Sequence, residues 1–135
     1  MSGYQYIAAP YTDPSTTVRV QRVHASARAC HRILRMGGFP YSPLVHGHYI
    51  ELFGGGQIHY DAWLEHGLRM LKKADAFYIL TLDGWQDSNG VRLEKEFARK
   101  YGIPIGYLNA SVWCNEEPDI TRLELPTTER IEQPL

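Results

Sequence analysis

The chain switches between short continuous apolar runs and stretches where apolar residues return every three or four positions, and those switches delimit its elements. Tyr4 to Ala9 reads as a first strand, closed by Pro10. From Ser15 to Met36, Val20, Val23, Ala27, Cys30 and Leu34 recur at helical spacing. This predicts an amphipathic helix, with Ser15 or Thr16 as its cap and Gly37-Gly38 as its stop. Gly38 to Tyr41 reads as a short second strand before Pro43. The segment Ser42 to Gln57 has poor periodicity and carries Gly54-Gly55-Gly56, so a mobile loop is expected there. A second helix is predicted over His59 to Lys73, with Tyr60, Leu64, Gly67, Leu68 and Leu71 on its buried face. Ala76 to Leu80 is apolar throughout, the pattern of a central parallel strand. Turn residues fill Thr81 to Gly90, a third helix covers Gly90 to Lys100, and a last strand spans Ile103 to Leu108.

This alternation predicts an α/β chain: a three-layer, flavodoxin/Rossmann-like domain with a four- or five-stranded, mostly parallel sheet. A length of 135 residues fits a single domain. Its core is expected over residues 4–108, followed by an extension over 109–135. That extension holds six acids and two arginines; an edge strand or docking segment is expected at Ile120 to Leu125. Fourteen basic against fifteen acidic residues give a net charge of -1, which offers no argument for polymeric nucleic acid or for an anionic membrane. No apolar run is long enough to span a bilayer. The N-terminal segment lacks the basic start and apolar stretch of a secretory leader. With Cys30 and Cys114 as free thiols, a cytoplasmic setting is expected. Five arginines of the first helix (Arg19, Arg22, Arg28, Arg32, Arg35) form either a solvated face or an anion-binding surface.

Ligands of open parallel sheets bind outside the carboxyl ends of the strands. The densest polar grouping after such a strand is Asp83-Gly84-Trp85-Gln86-Asp87-Ser88-Asn89-Gly90, leading to Glu94. A glycine-bearing loop that opens a helix presents free amides, so Ser88, Asn89 and Gly90 are a candidate anion cradle. Glu94, one turn into that helix, is a candidate nucleophile or acid–base group. Glu96 is rotated by about 200° and should point away. Neither a G-x-G-x-x-G turn nor a G-x-x-x-x-G-K-[ST] loop is present, which disfavours classical dinucleotide and P-loop chemistry. His46-Gly47-His48, with Glu51, His59 and Asp61, invites a metal reading, but two close histidines need ligands from elsewhere. No metal and no cofactor is expected. His46 and His48 are better read as loop histidines that touch a ligand or are merely solvated, with assistance to proton transfer left open.

Three segments carry a resemblance. They are Tyr6-Ile7-Ala8-Ala9-Pro10-Tyr11, the stretch Lys73 to Leu80, and Gly84-Trp85-Gln86-Asp87-Ser88-Asn89-Gly90-Val91-Arg92-Leu93-Glu94 with Ala98. In this order they resemble the nucleoside 2-deoxyribosyltransferase-like superfamily, whose small members share a G-W-x-x-S-x-G-[AV]-x-x-E-x-x-x-A pattern. The resemblance implies cleavage or exchange of the N-glycosidic bond of a nucleoside or nucleoside 5′-monophosphate, with Glu94 as nucleophile. It also implies that Ser88 accepts phosphate and that Tyr6 and Pro10 wall the sugar pocket. Asp61 and Asp75 match less closely; Asp75 is open to a plain strand-capping role. Trp85 or Tyr11 would stack on the base, and the base would leave with a proton from His46, His48, Tyr6 or Tyr11. Ala9 departs from a common glycine. Ser88 stands where base-exchanging transferases often have an aspartate, which favours hydrolysis of a phosphorylated substrate. A homodimer is implied, with Asn109 or Trp113 as candidates for reaching a neighbour's site. The alternative is a non-catalytic nucleotide-binding or sensing domain on the same fold.

Overall fold

The computed structural model describes residues 3–115 and 124–129. Strands β1 (Gln5–Ala8), β2 (Pro40–Tyr41), β3 (Ala76–Leu80) and β4 (Ile105–Leu108) pair in parallel in the order β2-β1-β3-β4. This is the strand order of flavodoxin-like sheets, with its reversal between β1 and β3. One face carries α1 (Thr16–Arg35), α2 (Pro43–Gly54) and α5 (Ala110–Trp113), packed on Ile7, Tyr78, Leu80 and Leu108. The other carries α3 (Tyr60–Lys72) and α4 (Asn89–Lys100), packed on Tyr6, Ala8, Phe77 and Ile79. The three-layer α/β architecture expected from the sequence is therefore present. Residues 76–80 form the central strand, flanked on both sides and buried on both faces.

Three expectations need correction. The segment Ser42 to Gln57 is not a loop over most of its length but helix α2. Ser42 caps it by accepting from the Val45 N–H at 3.2 Å, and Pro43 occupies its first turn, where no N–H is needed. Gly55 ends it in the left-handed conformation, at φ 80°. The helix lacked a visible period because Leu44 is its one fully buried residue, while Leu52 and Phe53 remain 60% and 81% exposed.

The apolar stripe of α1 was also misplaced. Val23, Ala25, Ser26, Ala29, Arg32 and Ile33 are buried, whereas Leu34 is exposed. Small residues let α1 lie close to the sheet, so the buried face is poor in large apolar side chains. Nor do all five arginines of α1 share one solvated or anion-binding face. Buried Arg32 donates to the carbonyls of Val112 and Asn115, and Arg28 donates to Cys114 O at 2.8 Å; both bind the C-terminal end of α5. Such cations complement the negative end of a helix.

Beyond α5 the described part of the extension returns to the sheet edge. Ile105 and Glu129 exchange backbone hydrogen bonds in an antiparallel bridge, and the Tyr78 hydroxyl donates to Pro126 O at 3.0 Å. The edge strand expected at Ile120 to Leu125 lies largely outside the described residues. Trp113 is part of the core, 3% exposed, and Asn109 caps α5 by accepting from Ser111 N–H. The Trp113 side chain is therefore enclosed by its own chain, while Asn109 is exposed. No helix among the described residues is long and apolar enough to cross a membrane.

Candidate active site

The site lies where the sheet order reverses. Arg22 ties its two loops together, donating to Tyr11 O and Thr12 O after β1 and to Asp83 O after β3. From the β3 loop, a 3-10 turn at Trp85–Asp87 leads into α4. Ser88 caps that helix, its Oγ accepting from Val91 N–H at 3.2 Å. The cap fixes the start of α4 and thereby the direction of every side chain on its first two turns.

Glu94 turns inward from α4. Its Oε2 accepts a hydrogen bond from the hydroxyl of Tyr6, which rises from the middle of β1 and is 1% exposed. Glu96 points outward, pairing with Arg92 at 3.2 Å, as the helical register requires. Burial pushes the Glu94 carboxyl up to about 7, against a smaller opposing effect of the Tyr6 hydrogen bond. Burial, then the charge of Glu94, pushes the Tyr6 phenol well above its ordinary value, so it stays a proton donor in this bond. From α3, Gly67 closes over the pair. A Cβ at that position would lie 3.1 Å from the Tyr6 hydroxyl, so glycine is what lets the helix approach.

Of the other residues singled out from sequence, several lie in the segments that follow β1, β2 and β3, at the same end of the sheet. Pro10 is fully buried behind β1. The Tyr11 hydroxyl is 3.0 Å from Nδ1 of half-buried His48. His46 lies on a different side of α2, as residues two apart on a helix must, and stacks on His66 at 5.1 Å with ring planes 8° apart. Burial and the neighbouring His66 hold the His46 imidazole below its ordinary value. Ser88 has its hydroxyl oxygen engaged with Val91, while the N–H groups of Asn89 and Gly90 begin the helix without helical acceptors.

Others do not converge. Asp75 sits at the start of β3, the end of the sheet opposite the α4 loop, and accepts from Gly3 N–H at 2.8 Å. It fastens the first strand, the capping role left open by the sequence. Asp61 is exposed on the first turn of α3, 3.7 Å from His59. Trp85 packs on Tyr107 at 5.6 Å and against the core, anchoring its loop. Among the described residues, no group of three or more His, Cys, Asp or Glu is placed to hold a metal ion. Cys30 and Cys114 are free, and burial pushes the Cys30 thiol up to about 12, away from nucleophilic character.

Tyr41, Trp63 and His66 were missed from sequence. The Tyr41 ring lies 5.5 Å from that of Tyr6, and its hydroxyl is 3.3 Å from His66 Nδ1. Trp63 donates to Glu51 Oε1 at 2.5 Å and stands edge-on to both His46 and His66. A polar ring on the inward side of a predicted helix, adjacent to Gly67, was the available signal for His66. A shallow cleft of about 230 Å³ between α3 and α4, lined by Leu64, Leu68, Leu93, Glu96, Phe97 and Lys100, lies on the outer side of the same helices. It follows the Glu96 face of α4 and is not where the carboxylate–phenol pair lies.

Fold and site together define an α/β domain with a buried carboxylate–phenol pair beside the reversal point of a flavodoxin-like sheet. The chain belongs to the family described as Domain of unknown function (DUF1937), which matches residues 3–109. The matched span covers all four strands and the whole of the Tyr6–Glu94 site. No curated protein matches the chain.

Proposed function

We propose that this protein hydrolyses, or transfers, the N-glycosidic bond of a nucleoside or nucleoside 5′-monophosphate through a glutamate nucleophile, Glu94. The observation that carries the reading is the hydrogen bond from the buried Tyr6 hydroxyl to the Glu94 carboxylate. The order of the three segments that resemble the nucleoside 2-deoxyribosyltransferase-like superfamily supports it. A carboxylate nucleophile must be desolvated enough to attack, yet ionised often enough to do so. Burial raises the Glu94 pKa to about 7, so the ionised carboxylate is accessible near neutral pH. Tyr6 supplies one directed donor, leaving the other carboxylate oxygen for the anomeric carbon.

In this reading the carboxylate displaces the base and forms a glycosyl ester. Water, or a second base, then resolves the ester with net retention. The open amides of Asn89 and Gly90, with the positive end of α4, favour a 5′-phosphate, and the Ser88 hydroxyl retains a proton to donate. The reading includes a homodimer, supported by exposed Ile50, Leu52 and Phe53 on α2. Light scattering at micromolar concentration gives a dimer mass in this reading; a monomer that retains full activity removes that part of it. The decisive assay incubates the protein with a panel of nucleosides and 5′-monophosphates and reads free base by chromatography. Release by the wild type that is lost in Glu94→Ala supports the glycosidase. Saturable nucleotide binding with no release in any member favours the non-catalytic alternative.

A further inference from the structure

Beside the Tyr6–Glu94 pair, the structure assembles a second polar array from three other elements. β2 supplies Tyr41, α2 supplies His46, and α3 supplies Trp63 and His66. Tyr41 stands against Tyr6 at 5.5 Å, close enough to Glu94 that the carboxylate charge acts on its phenol. Its hydroxyl meets His66 Nδ1 at 3.3 Å. His66 is held face to face by His46 and edge-on by Trp63, with ring centroids 5.1 and 6.1 Å away. Half-buried His66 thus has one ring nitrogen on Tyr41, and its neighbour His46 is exposed. The line from Glu94 through Tyr41 and His66 to His46 runs from the buried carboxylate to the surface.

Resting on the glycosidase reading above, we propose that Tyr41 is the acid that protonates the departing base and that His66 is the positioning residue that resupplies its proton. When Glu94 bonds to the anomeric carbon, the electron pair of the C–N bond leaves on the base nitrogen. That nitrogen takes the phenol proton of Tyr41, and the Tyr41 oxygen takes the Nδ1 proton of His66, leaving a neutral imidazole. Water then bonds to the anomeric carbon, the Glu94 carboxylate departs, a proton of that water passes to solvent, and His66 regains one proton from solvent. The sum is nucleoside plus water to sugar plus free base. Burial and the Glu94 charge push the Tyr41 phenol up to about 12, so it holds its proton until the leaving nitrogen requires it. The groups that face this array are Tyr4 and Tyr6 from β1 and its flank, Glu94 from α4, His46 from α2, and Glu51 through Trp63.

The test compares two leaving groups. A natural purine or pyrimidine base needs a proton to depart, whereas p-nitrophenolate leaves as a stable anion. Tyr41→Phe keeps the ring packing, and His66→Gln keeps a hydrogen-bonding group near Tyr41 but cannot carry the proton. With the nucleoside or nucleotide that the wild type cleaves, both variants are expected to lose about 100-fold or more in kcat, with KM little changed. With a p-nitrophenyl pentofuranoside they are expected to retain near wild-type rates, while Glu94→Gln loses both substrates. Equal losses on both substrates, or no loss on either, overturn the acid assignment and leave the glycosidase reading standing. A wild type that cleaves neither substrate overturns the glycosidase reading, and the acid assignment with it.

Discussion

Glu94→Gln should stabilise the protein, and by an amount that depends on pH in one direction only. The carboxyl is pushed by burial from 4.5 to about 7. Below pH 4.5 it is protonated in both the folded and the unfolded chain, and it imposes no ionisation penalty. Between 4.5 and about 7 the unfolded chain releases the proton while the folded protein retains it, so stability falls as pH rises. Above about 7 both states are ionised and the loss is complete. A rise of roughly 2.5 pKa units corresponds to about 3 kcal/mol, a large fraction of a small domain's stability. Glutamine keeps the shape and an acceptor for the Tyr6 hydroxyl but does not titrate. Urea unfolding of wild type and variant, repeated from about pH 4 to about pH 9, isolates this group because the other titrations cancel in the difference. The stability gap is expected to open by about 3 kcal/mol across that range, in favour of Gln at the alkaline end. A gap that stays constant with pH, or that closes as pH rises, refutes the buried, desolvated carboxylate.

Further outcomes follow from the same geometry. Tyr6→Phe removes the hydrogen bond that opposes the effect of burial, so the Glu94 pKa rises further and the acid limb of the pH–rate profile moves to higher pH; an unmoved limb contradicts the coupling. Ser88→Ala removes the cap of α4 and should cost about 1 kcal/mol in thermal or urea unfolding. The same variant should weaken a nucleoside monophosphate more than its nucleoside, by roughly 1.5–3 kcal/mol in calorimetric affinity. Equal weakening of both ligands shows that Ser88 does not read phosphate. Gly67→Ala places a methyl group 3.1 Å from the Tyr6 hydroxyl, so it should disturb the Tyr6–Glu94 bond and shift the same pH limb; an unmoved limb contradicts the close approach of α3.

The layered fold was legible because its informative segments are extreme. Ala76 to Leu80 is apolar at every position, and a strand buried on both faces is the simplest way to satisfy such a run. Helix α4 was legible for a different reason: its cap and its wide polar face fix the register in which Glu94 turns in and Glu96 turns out. Helix α2 was not legible. Its one buried residue leaves no stripe, and its glycine triplet reads equally as a loop or as a helix stop. Arg32 was unreadable for the opposite reason, since a buried arginine satisfied by carbonyl oxygens leaves no complementary acid in the sequence. Glu94 was singled out from position and resemblance, but Tyr41 and His66 come from β2 and α3, and their meeting depends on how those elements pack. Tyr41 ends β2, a strand end that the reading of polar loop residues passed over, and His66 sits in no motif; the fold brings Tyr41 beside Tyr6 and His66 onto Tyr41.

The central claim, a glycosyl ester on Glu94, is tested most directly by trapping it. Nucleosides carrying 2′-fluorine on the sugar slow the resolution of such esters and allow them to accumulate. Incubation with a panel of these compounds, with and without a 5′-phosphate, is followed by intact-mass measurement and peptide mapping. The account predicts a mass increase of one fluorinated pentosyl group, located on the peptide that contains Glu94 and absent from Glu94→Gln. An adduct on another residue, or base release by the wild type that persists undiminished in Glu94→Gln, contradicts it.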